Sequence, residues 1–263
     1  MSRMSPLVRG ASKRLAQIDQ VLEQAYMTPR ADLGNQDDPL DEAIYIILSF
    51  QTDLPRVSAT WSKLRNRYKT WNEVAEAAAT DLEHVLRDAG LHRQKTRAIK
   101  QLLRSVQELS GALSLDFLRT MSTDDAERIL LRLPGLSWKG ARCVLLYSLG
   151  REAFPVDVNT FRILKRTGVI PQTATYRRRS LHDALQSAVA ADRRGTLHIN
   201  LVVHGQRTCL PHSPKCTLCP LNSSCPRIGV SGAKSSPPIA NKRTRRIGKH
   251  GSEGEMGARC VRN

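Results

Sequence analysis

Residues 133–141 read LPGLSWKGA and lie between two segments whose apolar residues recur every three or four positions. That recurrence is typical of α-helices, and the Pro-Gly step predicts a tight turn between two of them. The pattern therefore indicates a helix-hairpin-helix. In such a motif the turn and the start of the second helix, here Gly135, Ser137 and Gly140, can hold a phosphate oxygen of DNA through backbone N–H groups. An ordinary connection between two helices is the alternative.

Helical periodicity continues over most of the chain, aromatic residues make up only 5%, and strand-like alternation is rare, so the predicted fold class is all-α. Pro55 suits a first helical turn, and Thr80 with Glu83 forms a capping-box pattern. The predicted helices lie at about 12–26, 39–51, 55–68, 71–78, 81–88, 93–109, 123–132, 138–149, 159–167, 178–191 and 195–206.

The 263 residues carry a net charge of +17, which favours a polyanionic partner. Nucleic acid is the first candidate; an anionic membrane is the second, weakened by the lack of a lipidation motif. No run approaches the roughly 18 apolar residues that a bilayer span needs, and no secretory signal is visible. We therefore expect a soluble protein without a membrane partner, in the cytoplasm or nucleoid of a bacterium or the nucleus of a eukaryote.

The last residues, 227–263, differ in composition from the rest. They contain eight Pro or Gly, nine Lys or Arg, two Glu and no aromatic residue. Such a segment buries too little apolar surface to offset ordering, so we predict a disordered basic tail. Its run KRTRR at 242–246 suits a nuclear address, a non-specific nucleic-acid arm or simply a solvated tail.

Four of the six cysteines are crowded into seventeen residues, with the spacing C-x6-C-x2-C-x5-C, whereas Cys143 and Cys260 stand alone. Crowding of this kind indicates metal in a reducing compartment rather than a disulfide framework. Converging thiolates suit either a structural zinc or an iron–sulfur cluster. The four are Cys209, Cys216, Cys219 and Cys225.

Asp157 follows Lys139 by eighteen residues, in the phrase FPVDVNTFR at 154–162. With the hairpin before it, this order resembles the endonuclease III family of DNA glycosylases, in the helix-hairpin-helix (HhH-GPD) superfamily. The resemblance covers about residues 38–225. It is also carried by LSFQTD at 48–53, AGL at 89–91, HG at 204–205 and the cysteine spacing.

The resemblance assigns the chemistry to two residues. Lys139 matches the lysine of family members that both excise a base and cut the strand. An amine near a helix N-terminus on a basic surface is expected to lose its proton readily, attack the sugar C1′ and form a Schiff base. Asp157 matches the catalytic aspartate, which activates the lysine or a water and stabilises positive charge on the sugar. Taken alone, Lys139 suits a solvated charge and Asp157 a helix N-cap.

Two further residues match family positions that contact the distorted DNA. A base can be removed only after it leaves the stack, so something must fill the gap and hold the opposite strand. The resemblance gives these tasks to Gln51 and Leu91. The alternatives are a polar residue at a helix end for Gln51 and a core leucine for Leu91.

The resemblance implies a two-lobed fold, with a six-helix barrel at 38–151 and a second lobe formed by 1–37 and 152–226. The second lobe would hold a 4Fe-4S cluster on the four cysteines. The implied activity is base-excision repair by a monomeric DNA glycosylase with abasic-site (AP) lyase activity, acting by β-elimination. The implied partner is double-stranded DNA with a damaged, mismatched or abasic site.

Two rival functions stay open: a non-catalytic module that binds DNA or senses damage, and a monofunctional glycosylase that uses water. The excised base is also open, since oxidised pyrimidines, uracil, a mismatched thymine and methylated bases all suit the pattern.

The chain departs from the family pattern at three places. Ser137 replaces the second hairpin glycine, which would cost about 1 kcal/mol if that position needed a positive φ. Val158 and Asn159 replace the Thr-His pair that follows the aspartate. The phrase around Gln51 is one residue shorter than usual, so the assignments of Gln51 and Leu91 rest on less than those of Lys139 and Asp157.

Overall fold

The computed structural model describes residues 6–26 and 33–230. Within these ranges there is no β-strand, and the predicted all-α class is confirmed. No helix in the described part is both long and apolar enough to cross a bilayer. The α-helices are α1 (Ala11–Tyr26), α2 (Pro39–Ser49), α3 (Leu54–Arg67), α4 (Trp71–Glu76), α5 (Ala79–Val85), α6 (His92–Ser110), α7 (Thr123–Leu130), α8 (Trp138–Tyr147), α9 (Val158–Arg166), α10 (Arg179–Ala188) and α11 (Arg194–Arg207). Short 3-10 helices lie at Arg87–Ala89, Asp116–Thr120, Ala191–Arg193 and Cys216–Leu218.

Six of the eleven α-helices in the described residues begin at a side-chain N-cap, and α5 is not one of them. Pro55 lies in the first turn of α3, as predicted, behind the Asp53 cap. The capping box predicted at Thr80 is wrong, because α5 starts at Ala79 and the residue before it makes no side-chain capping bond. The burial of apolar side chains on the inner face of α5, rather than capping, fixes this short helix.

The buried apolar residues form two clusters. The first runs from Leu40 to Ala153 and lies among α2–α8. The second combines α1 with residues from Phe154 to Leu221, and α11 packs against both α1 and α9. The N-terminal helix α1 therefore packs against the C-terminal half of the chain. The lobe boundaries at 38–151 and at 1–37 with 152–226 stay a prediction, and the tail beyond residue 230 lies outside the described residues.

Arg142 of α8 connects helices from both clusters. Its side chain is fully buried, and its guanidinium contacts Glu127 of α7 at 2.7 Å and Asp183 of α10 at 2.6 Å. A buried guanidinium is tolerated only when it is paired, so this arrangement fixes α7, α8 and α10 in one relative position. That position also sets the orientation of the hairpin that precedes α8.

Candidate active site

The backbone conformation of the hairpin between α7 and α8 explains why Gly135 and Ser137 occupy it. Gly135 has a φ of 85°, a conformation that favours glycine, and a Cβ there would lie 2.8 Å from Cδ1 of Ile47, so that side chain would have to shift. Ser137 has a φ of −107° and is the N-cap of α8, where its Oγ accepts the Gly140 N–H at 3.4 Å. The strain considered for Ser137 does not arise, because the positive φ falls on Gly135.

A cleft of about 950 Å³ lies beside the hairpin and is lined by parts of α2, α8, α9 and α11. Leu91 and Gly140 are not among its lining residues, and Gly140 is buried against Ile46 of α2. The cleft does bring together five residues that the sequence singled out, namely Gln51, Gly135, Ser137, Lys139 and Asp157.

Asp157 is both a helix cap and a charge facing the cleft. Its Oδ1 accepts the Thr160 N–H at 2.7 Å and caps α9, while its Oδ2 accepts the Asn159 amide at 2.8 Å. Burial acts to raise the pKa of this carboxyl, but His198 and the two hydrogen bonds outweigh it, so the pKa is lowered. Asp157 is therefore a carboxylate at neutral pH.

Asn159, which the sequence marked only as a departure, orients Asp157. Its Oδ1 accepts from Arg162 at 2.8 Å, which fixes its Nδ2 on the carboxylate. A Cβ at Gly205 would lie 2.5 Å from the Asn159 Cβ, so only glycine lets α11 approach α9 this closely. Gly205 of the His-Gly pair therefore allows Asn159 its position in the site. The sequence alone did not explain this role.

Lys139 is half-buried in the first turn of α8, where it lines the cleft. Burial acts to lower the pKa of its ammonium, but the neighbouring Cys143, Asp157 and Glu42 act to raise it, and the net pKa is above the usual value. The expectation that its proton is easily lost is therefore wrong for the protein without DNA. The neighbouring acidic groups outweigh the effect of burial.

Two aromatic groups in the cleft were missed by sequence reasoning. His198 of α11 and Tyr147 of α8 pack edge to face, with ring centroids 6.0 Å apart. Burial lowers the pKa of His198 to about 4, so its imidazole is neutral at pH 7. The His198 Nδ1 and the Tyr147 hydroxyl are buried and have no hydrogen-bond partner among the described residues. No local motif marks them, because helix packing alone places them here.

Glu42 of α2 is a buried carboxyl whose charge acts on Lys139. It accepts the Asn35 amide at 2.6 Å and the Gln36 N–H at 2.8 Å. Burial raises the pKa of Glu42 to about 7, although these hydrogen bonds and Lys139 act in the opposite direction. Two carboxyls therefore act on Lys139: Asp157 is ionised at neutral pH, and Glu42 titrates near neutral pH.

Gln51 and Leu91 share an unusual backbone conformation. Their φ angles are 51° and 49°, in the left-handed region that non-glycine residues rarely adopt. Leu91 is 43% exposed, so the core-leucine alternative is wrong. Gln51 follows α2 and is exposed as well. Strained, exposed residues of this kind concentrate at functional sites.

The four crowded cysteines line one small cavity, together with Arg166 and His204. Two of the sulfurs accept N–H groups, Cys209 from Arg166 at 3.3 Å and Cys225 from the backbone of Arg227 at 3.4 Å. In the described residues no group of three or more His, Cys, Asp or Glu is arranged around a single metal ion. A set of four thiols on one cavity, with N–H donors to sulfur, fits the ligand chemistry of an iron–sulfur cluster.

Comparison with known proteins identifies the class. Residues 44–185 match the family described as HhH-GPD superfamily base excision DNA repair protein. The chain belongs to this superfamily.

The most informative relatives agree with this assignment. The chain is 30% identical over 188 residues to Endonuclease III of Thermotoga maritima, covering 72% of the chain and 83% of the relative. It is 28% identical over 200 residues to Putative DNA glycosylase At3g47830 of Arabidopsis thaliana, covering 76% of the chain but only 65% of that relative. A trapped endonuclease III–DNA covalent intermediate superposes with a TM-score of 0.71 at 22% identity, over 81% of this chain and 95% of that one. The endonuclease III fold is thereby shown.

Proposed function

We propose that this protein is a bifunctional DNA glycosylase that excises a base and then cuts the strand through a Schiff base on Lys139. The observation that carries the proposal is the shared cleft, in which Lys139 and Asp157 interact electrostatically although they lie on different helices. The similarity to a glycosylase trapped in a covalent complex with DNA supports the proposal.

The charge states suggest an order of events. Lys139 enters the reaction as an ammonium, because its pKa is raised. As the bond between C1′ and the base breaks, the bonding electrons leave with the base, and the ammonium gives that base a proton. The amine that results then attacks C1′ and loses a second proton, after which the nitrogen lone pair expels the ring oxygen O4′. The C1′–O4′ bond breaks, O4′ takes up a proton, and the iminium forms on the opened sugar.

Asp157 has the complementary role in this proposal. Its lowered pKa makes it a weak proton acceptor but a stable negative charge. Such a charge, fixed in advance by Thr160 and Asn159, stabilises the cation that builds on the sugar. The iminium on Lys139 acidifies the 2′ position of the sugar, which permits β-elimination and strand cleavage.

DNA is bound by the hairpin and opened by the two strained residues. The hairpin turn and the Ser137-capped start of α8 hold a phosphate through N–H groups, which positions the duplex without reading its sequence. Gln51 fills the gap left by the everted nucleotide, and Leu91 enters the opposite strand. We propose that one monomer acts on one damaged, mismatched or abasic site.

The cavity lined by the four cysteines is proposed to hold a 4Fe-4S cluster. Bound there, the cluster would supply structural cross-links between the four thiolates. The thiols must lose their protons for this: burial raises the pKa of Cys219 to about 11, and that of Cys225 is raised as well. Arg166 stabilises the loop from the other side by donating to Cys209 Sγ and to the carbonyl of Leu210.

A panel of duplexes tests the proposal and identifies the base. Each duplex carries one oxidised pyrimidine, uracil, mismatched thymine or methylated base, and products are resolved before and after hot alkali. Strand cleavage without alkali is expected for at least one duplex. Cleavage only after alkali would indicate a monofunctional glycosylase, and no cleavage despite tight binding would indicate a non-catalytic module.

A further inference from the structure

Lys95 of α6 is a buried lysine to which the catalytic proposal gives no role. It is 3% exposed, and its Nζ donates to the Leu48 carbonyl at 2.8 Å, the Thr52 hydroxyl at 2.5 Å and the Ala89 carbonyl at 2.8 Å. These bonds use all three donors of the ammonium group. They connect the start of α6 to the end of α2 with the loop that follows it, more than 40 residues earlier, and to the turn at Ala89.

The segments joined by Lys95 are those that carry the two strained residues. Leu48 lies in the last turn of α2, just before the Gln51 loop (residues 50–53), and Thr52 lies within that loop. Ala89 begins the Leu91 loop (residues 89–91). Thr52 also donates its own hydroxyl proton to the Ala89 carbonyl at 2.6 Å, so the two loops are linked directly as well as through Lys95.

This arrangement is costly for the fold, since a buried ammonium that contacts only neutral oxygens loses much of its hydration. Burial lowers the pKa of Lys95 to about 8, in keeping with that cost. An apolar side chain would fill the same space without losing that hydration. What the ammonium supplies is geometry, because left-handed residues such as Gln51 and Leu91 persist only where their surroundings fix them.

We propose that Lys95 is a positioning residue that fixes the Gln51 loop and the Leu91 loop to each other, so that both enter the DNA at the same lesion. The inference rests on the proposed function, in which Gln51 and Leu91 contact the distorted duplex. What is new is that the insertions of Gln51 and Leu91 are coupled through one buried amine and do not occur independently.

Lys100 provides a matched control on the same helix. Its Nζ donates to the backbone carbonyls of Ala75 and Ala77, away from both loops. Lys95→Met and Lys100→Met therefore each remove a lysine of α6 that bonds to main-chain oxygens, but only the first releases the two loops. Thr52→Val is the milder companion, since it keeps Lys95 and removes the bridging hydroxyl.

The first readout needs no DNA. Amide hydrogen exchange at Thr52 and Gly90 should accelerate roughly tenfold in Lys95→Met, the change that about 1.4 kcal/mol of lost stabilisation produces. Lys100→Met should leave both amides at the parent rate. Unchanged exchange in Lys95→Met would overturn the proposal. If Lys95→Met does not fold, Thr52→Val takes its place in both readouts.

The second readout is a spectroscopic signature of insertion. The probe is a duplex with one tetrahydrofuran abasic-site analogue opposite 2-aminopurine, whose fluorescence rises when it is unstacked. At saturating protein we expect the parent and Lys100→Met to raise the fluorescence equally, and Lys95→Met to give a rise at least about threefold smaller, in line with the loss of ordered loops. An equal rise in Lys95→Met, even with faster exchange, would show that the coupling is not used. No rise with the parent would instead refute the proposed insertion of Gln51 and Leu91.

Discussion

Replacing Asp157 with asparagine separates its role as a cap from its role as a charge. Asparagine caps helices about as well as aspartate, so the bond from the Thr160 N–H persists. The charge at the start of α9, worth about 0.3–1 kcal/mol, is lost. So is the bond from the Asn159 amide, worth about 0.5–1.5 kcal/mol net. Removing a buried charge recovers part of this, so we expect the free energy of unfolding to fall by only about 1 kcal/mol.

The effect of Asp157→Asn on chemistry should be much larger. Loss of a preorganised charge next to a developing cation costs about 10²–10³-fold in rate, whereas affinity for DNA is dominated by phosphate contacts and should hardly change. Single-turnover excision, binding anisotropy and thermal unfolding are measured on Asp157→Asn and on Asp157→Ala, which also loses the cap. The proposed role of the Asp157 charge would be refuted if excision declined in proportion to stability across the two variants. It would also be refuted if Asp157→Asn were as fast as the parent.

Three other predictions concern the rest of the molecule. The purified protein should be brown, with absorbance near roughly 400 nm and about four irons per chain; a colourless protein with stoichiometric zinc would contradict the cluster. Deleting residues 231–263 should leave folding and saturated turnover intact but make the slope of log affinity against log salt shallower, by up to about 0.9 for each DNA phosphate that the tail neutralises. An unchanged slope would show that the tail does not bind DNA. Because Glu42 has a pKa of about 7 in the folded protein, above its unfolded value, its contribution to stability is lost as pH rises towards 7. Glu42→Gln should therefore show a weaker decline of unfolding free energy between pH 5 and pH 8, by up to about 3 kcal/mol, in denaturant titrations; parallel curves would exclude this titration.

Much of the fold is encoded locally. Apolar periodicity located all eleven α-helices of the described residues to within a few positions. Only the capping pattern was wrong at α5, where burial of Leu82 and Val85 sets the position of the helix and Thr80 makes no cap. The short 3-10 helices were also missed, because they follow the packing of their neighbours rather than a periodic pattern.

The site was predictable only where its residues form motifs. Lys139 and Asp157 belong to recognisable phrases, and the structure places both in one cleft. The raised pKa of Lys139 was only partly predictable, because Cys143 lies one turn away on α8, whereas Asp157 and Glu42 come close only in the folded chain. His198 and Lys95 were missed for the same reason, since their partners are distant in the sequence.

The covalent bond proposed between Lys139 and the sugar can be trapped. The protein is incubated with duplex DNA containing an abasic site in the presence of sodium borohydride, which reduces an iminium to a stable amine. We expect a cross-linked species whose attachment maps to Lys139 by peptide mass spectrometry, and its loss in Lys139→Gln, although that variant still binds DNA. A cross-link of equal yield in Lys139→Gln, or none in the parent under conditions where it excises a base, would show that Lys139 is not the nucleophile.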